Sequence, residues 1–202
     1  MQARIALAAL CAAVSTPLFA NTQAAAPAAA EAAKDDLVRV ALQTDAGRIV
    51  LALDRGRAPV TTANFLRYVD SGRFSGEGFY RAMKYPQGGG LIQGGVTSDS
   101  RKLYSPIAHE PVAKTGLSHL AGTVSMATGG PGTATSDFFI LLSDSPSFDD
   151  SFAAFGRVVE GMDVVKTIFD APVSPTKGEG IMRGQMLEPV VKIRKAERLD
   201  LK

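Results

Sequence analysis

Residues 122–140, G-T-V-S-M-A-T-G-G-P-G-T-A-T-S-D-F-F-I, set two short apolar runs on either side of a turn with almost no side-chain bulk. Positions 122–127 and 137–142 have strand composition, and positions 128–135 are built from the Gly, Pro and Thr that punctuate turns. Such a segment keeps a rigid floor and an open rim, which suits an extended peptide. Few residues around it could do covalent chemistry. His109 and His119 are the only histidines, and neither has zinc-site spacing with nearby ligands. Ser125, His119 and Asp137 are the residue types of a hydrolase triad, yet G-T-V-S-M-A lacks the glycine-flanked elbow of a strained nucleophile. On charge alone, an isolated strand arginine such as Arg81 reads as a surface ion-pair partner. No metal and no redox or organic cofactor is expected.

The string G-x-x-S-M-A followed by G-P-x-T-x-x-S-x-F-F-I resembles the signature of the cyclophilins, the peptidyl-prolyl cis/trans isomerases. The likeness continues through A-P-V-T-T-A-N-F at 58–65, F-Y-R at 79–81, L-I-Q-G-G at 91–95 and F-G-R-V-V-E-G-M-D-V-V at 155–165. These blocks follow the family's order and cover most of the chain after position 36. The resemblance implies that Arg81 is the catalytic arginine and that Gln93 contacts bound peptide backbone. It implies that Phe139 floors a proline pocket with Leu91 and Phe148 as walls. By the same mapping Met126, Ala127 and Thr128 lie beside the groove, with Ala127 and Thr128 offering backbone groups to an added peptide strand.

The implied reaction is rotation about an X-Pro amide, whose barrier of roughly 20 kcal/mol comes from resonance between nitrogen and carbonyl. In the twisted state the nitrogen recovers its lone pair. A donor aimed at it therefore stabilises the transition state more than either planar isomer. A guanidinium suits the task, being permanently charged with several fixed N–H groups. A rate gain of ~10⁵ needs about 7 kcal/mol, within reach of one charged hydrogen bond plus orientation.

Five departures from the family pattern bear on activity or ligand binding. The segment between Arg81 and Gln93 is longer than usual, and Gly90 stands where an aromatic pocket wall is customary; Met83 or Tyr85 could fold back to fill the gap. Asp137 replaces a common glutamine, and its carboxylate could orient Arg81 or sequester it in an ion pair. Phe152 takes the approximate place of a histidine. The chain has no tryptophan, so the resemblance implies weak cyclosporin binding. The altered pocket wall and Asp137 motivate a second reading, a cyclophilin-fold module that grips extended proline segments as a holdase with little turnover.

The elements that must position these residues are legible in part. Positions 38–43 and 48–53 read as strands joined by a hairpin turn at Thr44-Asp45-Ala46-Gly47. Pro59 fits the first turn of a helix whose apolar face, Val60, Ala63, Phe65, Leu66 and Val69, ends near Gly72. Short strands follow near Phe79, Leu91, Thr123, Phe138 and Ala153, then a helix over 162–169 and a closing strand over 190–195. The expected class is mainly β. Many strands with two helices suggest a closed antiparallel barrel, and the resemblance specifies eight strands, a capping α-helix over each open end and a groove on the outer wall.

Arg4, the apolar run 5–14 and the small residues Thr22, Ala24 and Ala25 read as a signal peptide over 1–24. The run is about half the ~20 residues a membrane span needs, so no stable membrane insertion is expected. Positions 25–36 read as an Ala/Pro-rich linker and 37–200 as one domain, which the resemblance makes a peptidyl-prolyl isomerase domain. Cleavage would remove Cys11, the only cysteine, leaving a periplasmic protein without disulfides. It would also remove one positive charge, Arg4, from 22 Lys+Arg against 20 Asp+Glu, leaving 21 minus 20, or +1. No nucleic-acid partner is implied, because Lys192, Arg194, Lys195 and Arg198 alternate with Val191 and Ile193 as on a solvated strand face. The partners expected are proline-containing segments of unfolded or flexible proteins, met by a monomer.

Overall fold

Alternating apolar residues at Val40 and Leu42, and at Ile49, Leu51 and Leu53, give the first two strands one buried face. In the computed structural model, which describes residues 36–199, these are β1 (Leu37–Thr44) and β2 (Gly47–Asp54), paired antiparallel across the expected hairpin. The proposed signal peptide and nearly all of the linker lie outside the described residues.

The strands that follow are β3 (Gly78–Lys84), β4 (Gly90–Gly95), β5 (Thr123–Met126), β6 (Phe138–Leu141), β7 (Ala153–Glu160), β8 (Val173–Ser174) and β9 (Met186–Leu199). Their order is β1-β2-β7-β5-β6-β4-β3-β9, and β9 pairs back to β1. That closes an eight-stranded antiparallel barrel without a free edge, the two-residue β8 being an appendage on β9. The last strand is longer than the sequence pattern suggests, because its solvent-facing cations interrupt the apolar signal. Those cations engage protein partners: Arg194 with Asp45, Arg198 with Asp70, Lys195 with Glu197 and Lys192 with the Gly76 carbonyl.

Among the described residues three α-helices accompany the strands: α1 (Pro59–Asp70), a one-turn α2 (Val112–Thr115) that the sequence did not announce, and α3 (Met162–Asp170). Pro59 opens α1, and buried Glu110 accepts the otherwise unpaired Val60 and Thr61 N–H groups. The Thr62 hydroxyl bonds the Asp54 carbonyl at the end of β2, whereas Val164 of α3 packs against Gly47 at its start. The two long helices therefore cap opposite mouths of the barrel, as expected.

Both helices feed one interior cluster. Phe65 meets Phe138 edge-to-face at 5.2 Å, and Phe74 and Phe155 at 5.0 and 5.4 Å. Aromatic pairs of this geometry add about 0.5–1.5 kcal/mol each beyond their buried area. A second, smaller cluster of Leu91, Phe139 and Leu141 lies on the other face of β4 and β6, joined by Met83, Ala127, Phe148 and Phe152. The wall between the clusters is thus apolar on both sides and stiff. Phe65→Ala is expected to lower unfolding stability by about 3–5 kcal/mol, read as the urea midpoint with an unchanged slope.

Candidate active site

The register of three strands builds the site. Arg81 on β3 is opposite Gln93 on β4, and Gln93 is opposite Phe139 on β6. The adjacent row runs Met83, Leu91, Leu141. Side chains alternate across a strand, so all six share the outer face while Ala82, Ile92, Phe138 and Ile140 fill the barrel. All but the fully buried Leu141 line a groove of about 620 Å³ with Ala127, Thr128, Asp137, Phe148 and Phe152.

Nine of the ten site residues read from the sequence therefore meet at this groove. Met126 does not. It is 1% exposed, pairs with Phe138 and packs in the barrel interior, because it sits one residue out of phase with the groove-lining Ala127.

Arg81 is 8% exposed. Its Nε donates to Gln185 Oε1 at 2.8 Å, Nη1 to Gln93 Oε1 at 2.9 Å and Nη2 to Met83 Sδ at 3.2 Å. All three acceptors are neutral, and among the described residues no carboxylate lies within ion-pair distance of Arg81. Burial pulls its pKa below the ordinary value, but the guanidinium starts so high that it stays charged. The rest of the donor fork is left for a ligand.

Asp137 neither pairs with Arg81 nor sequesters it. It accepts from the Tyr80 hydroxyl at 2.6 Å, and Tyr80 accepts from Gln93 Nε2 at 2.6 Å. The chain has one possible direction, since arginine only donates at one end and a carboxylate only accepts at the other. It fixes the Gln93 amide with its oxygen toward Arg81. Burial raises the Asp137 pKa, and burial beside that carboxylate raises Tyr80's.

Tyr80 was not foreseen, because strand alternation would put it inside the barrel beside Ala82. The β3 register shifts between Phe79 and Arg81, and this bulge turns Tyr80 toward Asp137. Gln185, Ile181 and Met182 were also missed. They sit on a polar, glycine-rich loop whose pattern carries no sign of a site.

The missing aromatic at Gly90 has a backbone cause. Gly90 has φ +143°, and a Cβ there would meet the Met83 carbonyl at 1.9 Å. Met83 supplies the wall instead, while Tyr85 turns away to Ser145 at 3.2 Å.

Behind Phe139 lies a buried relay. His119 Nε2 meets Ser125 Oγ at 2.9 Å and Nδ1 meets Asp149 Oδ1 at 2.7 Å. The acid partner is thus Asp149 rather than Asp137. Ser125 and His119 have no solvent exposure, so no substrate reaches the hydroxyl and the group is not a hydrolase site. The imidazole stacks on Phe139 at 6.1 Å and meets Phe148 and Phe152 edge-on. The relay braces the aromatic floor.

Residues 39–198 match the family model described as cyclophilin type peptidyl-prolyl cis-trans isomerase/CLD. The chain is 41% identical over 138 residues to peptidyl-prolyl cis-trans isomerase A of Dickeya dadantii, spanning 64% of this chain and 70% of that protein. It is 39% identical over 151 residues to a peptidyl-prolyl cis-trans isomerase of Streptomyces antibioticus, covering 69% and 87%. A crystal structure of a Cryptosporidium parvum cyclophilin type isomerase superposes with a TM-score of 0.69 at 22% identity, over 82% of this chain and 99% of that one. This last likeness concerns the fold.

Burial holds the His119 pKa below its ordinary 6.5 against the opposing pull of Asp149. A base depressed in the folded state contributes stability that is complete above its ordinary pKa and lost as pH falls through the lowered value. Between about pH 7.5 and pH 5 wild type should therefore lose more stability than His119→Asn, measured as urea midpoints against pH. Parallel curves would contradict this.

Proposed function

The chain belongs to the cyclophilin type peptidyl-prolyl cis-trans isomerase family, and from that premise we propose that it turns over X-Pro bonds in unfolded or flexible polypeptides outside the cytoplasm. The observation that carries the reading is a charged guanidinium held by neutral acceptors in the same groove as an aromatic floor.

In this reading a proline ring rests on Phe139 between Leu91, Met83, Phe148 and Phe152. Apolar contact removes water from the carbonyl and holds the ring while the acyl side rotates. The open part of the Arg81 fork donates to the imide nitrogen as it pyramidalises, an interaction unavailable in either planar isomer. Gln93 keeps an amide hydrogen and a lone pair for the peptide backbone, and Ala127 and Thr128 present main-chain groups beside it. No bond is made or broken in the cycle. The ground state of each isomer binds similarly, so the gain falls on the barrier.

Folding assistance outside the cytoplasm rests on the N-terminal sequence, where a short basic region, an apolar run and small residues precede the domain. Uncatalysed prolyl isomerisation takes tens of seconds or longer, slow enough to limit folding of exported chains.

Arg81→Ala is expected to lower kcat/KM on an Ala-Pro tetrapeptide at least about 100-fold, with Arg81→Lys recovering little because a point charge cannot reproduce the fork. Exchange NMR or a protease-coupled assay reads it, and turnover that survives Arg81→Ala within a few fold would refute the role. Full-length protein expressed in a Gram-negative host should appear in the periplasmic fraction without the residues before about Ala24, as intact-mass measurement shows; a retained Met1 would overturn export.

A further inference from the structure

Two large apolar side chains on the groove rim belong to neither hydrophobic cluster. Ile181 is 85% exposed and Met182 is 40% exposed, on the 3₁₀ turn Gly180–Met182 between β8 and β9. Scattered surface hydrophobics need no explanation. These two differ because they line the same groove as Arg81, Phe148 and Phe152.

The loop that carries them is shaped from within. The Gly184 N–H bonds the Lys177 carbonyl at 3.0 Å, and Met182 N–H bonds the Glu179 carbonyl at 3.0 Å. Gly178 sits at φ +93°, where a Cβ would meet the Met182 carbonyl at 2.4 Å. The loop is then tied to the catalytic centre by one side chain. Gln185 accepts from Arg81 Nε at 2.8 Å through its oxygen and donates to the Ile181 carbonyl at 2.7 Å through its nitrogen. The rim hydrophobics and the guanidinium thus share one amide.

The geometry points to a specificity lip: Ile181 and Met182 contact the substrate residue flanking the proline and select a bulky apolar side chain there. The occupant is a proline-containing peptide, as the continuity of the rim with the proline slot requires. Ile181 and Met182 share the groove lining with the aromatic Phe148 and Phe152, and the two charged groups of that lining are already engaged, Arg81 by Gln93, Gln185 and Met83 and Asp137 by Tyr80. An apolar flanking side chain would cover this exposed apolar surface.

This inference rests on the isomerase reading, and its test separates the two. NMR exchange is measured on two tetrapeptide series, one varied before proline and one after it, with Ala, Leu, Phe and Glu at the varied position. Wild type should favour Leu or Phe over Ala by about tenfold in kcat/KM in at least one series. In the double variant Ile181→Ser, Met182→Ser that ratio should fall to about twofold, with the change carried in KM. An unaltered ratio, or an equal loss on every peptide, overturns the lip. Absence of wild-type turnover on all peptides would fail the isomerase reading instead, and Kd values from the same titrations would still report the Leu-to-Ala preference and its loss in the variant.

Discussion

A cation that is partly dried and yet not neutralised is the condition on which this groove depends. Placing a guanidinium away from water costs free energy, and the usual remedy is a touching carboxylate. Such a partner would hold the charge but also spend its donors and damp its field. Here the geometry comes from Gln93, Gln185 and Met83, which accept without cancelling the charge. The groove's acid, Asp137, is linked to Arg81 only through Tyr80 and Gln93, where it sets the direction of the hydrogen bonds.

Holding that arrangement requires a wall that does not bend. The barrel supplies one through strand alternation, which gives β4 and β6 an interior face packed by Ile92, Phe138 and Ile140 and an exterior face packed by Leu91, Phe139 and Leu141. A slip of one residue would turn Arg81 and Phe139 into the barrel and expose the core. The β3 bulge is the one local exception, and it delivers Tyr80 to the outer side without moving Arg81. Beneath the floor, the His119 relay ties Phe139 to the segment carrying Phe148 and Phe152.

Much of this was legible in the sequence, for physical reasons that differ by element. The β1–β2 hairpin and α1 were readable because apolar period and turn chemistry agree there. The groove residues on β4 and β6 were readable through literal family blocks, not through periodicity. Met126 was misplaced because a motif names neighbours without stating which face each occupies. Tyr80 was hidden by a bulge, which breaks the alternation from which faces are inferred. Gln185, Ile181 and Met182 were invisible because loop contacts between residues 104 positions apart, such as Arg81 with Gln185, leave no local pattern. The role of Asp137 could not be settled from composition, since its partner depends on that same bulge.

The most direct test of a free, oriented cation is arginine side-chain ¹⁵N NMR of Arg81 during titration with an Ala-Pro tetrapeptide. The account predicts a protonated guanidinium across neutral pH, slowed rotation about its Cζ bonds in the free protein, and a peptide-dependent shift confined to the nitrogens not already engaged by Gln185. A freely rotating guanidinium in the free protein, or peptide binding that shifts the Phe139 ring signals and leaves every Arg81 nitrogen unmoved, would contradict it.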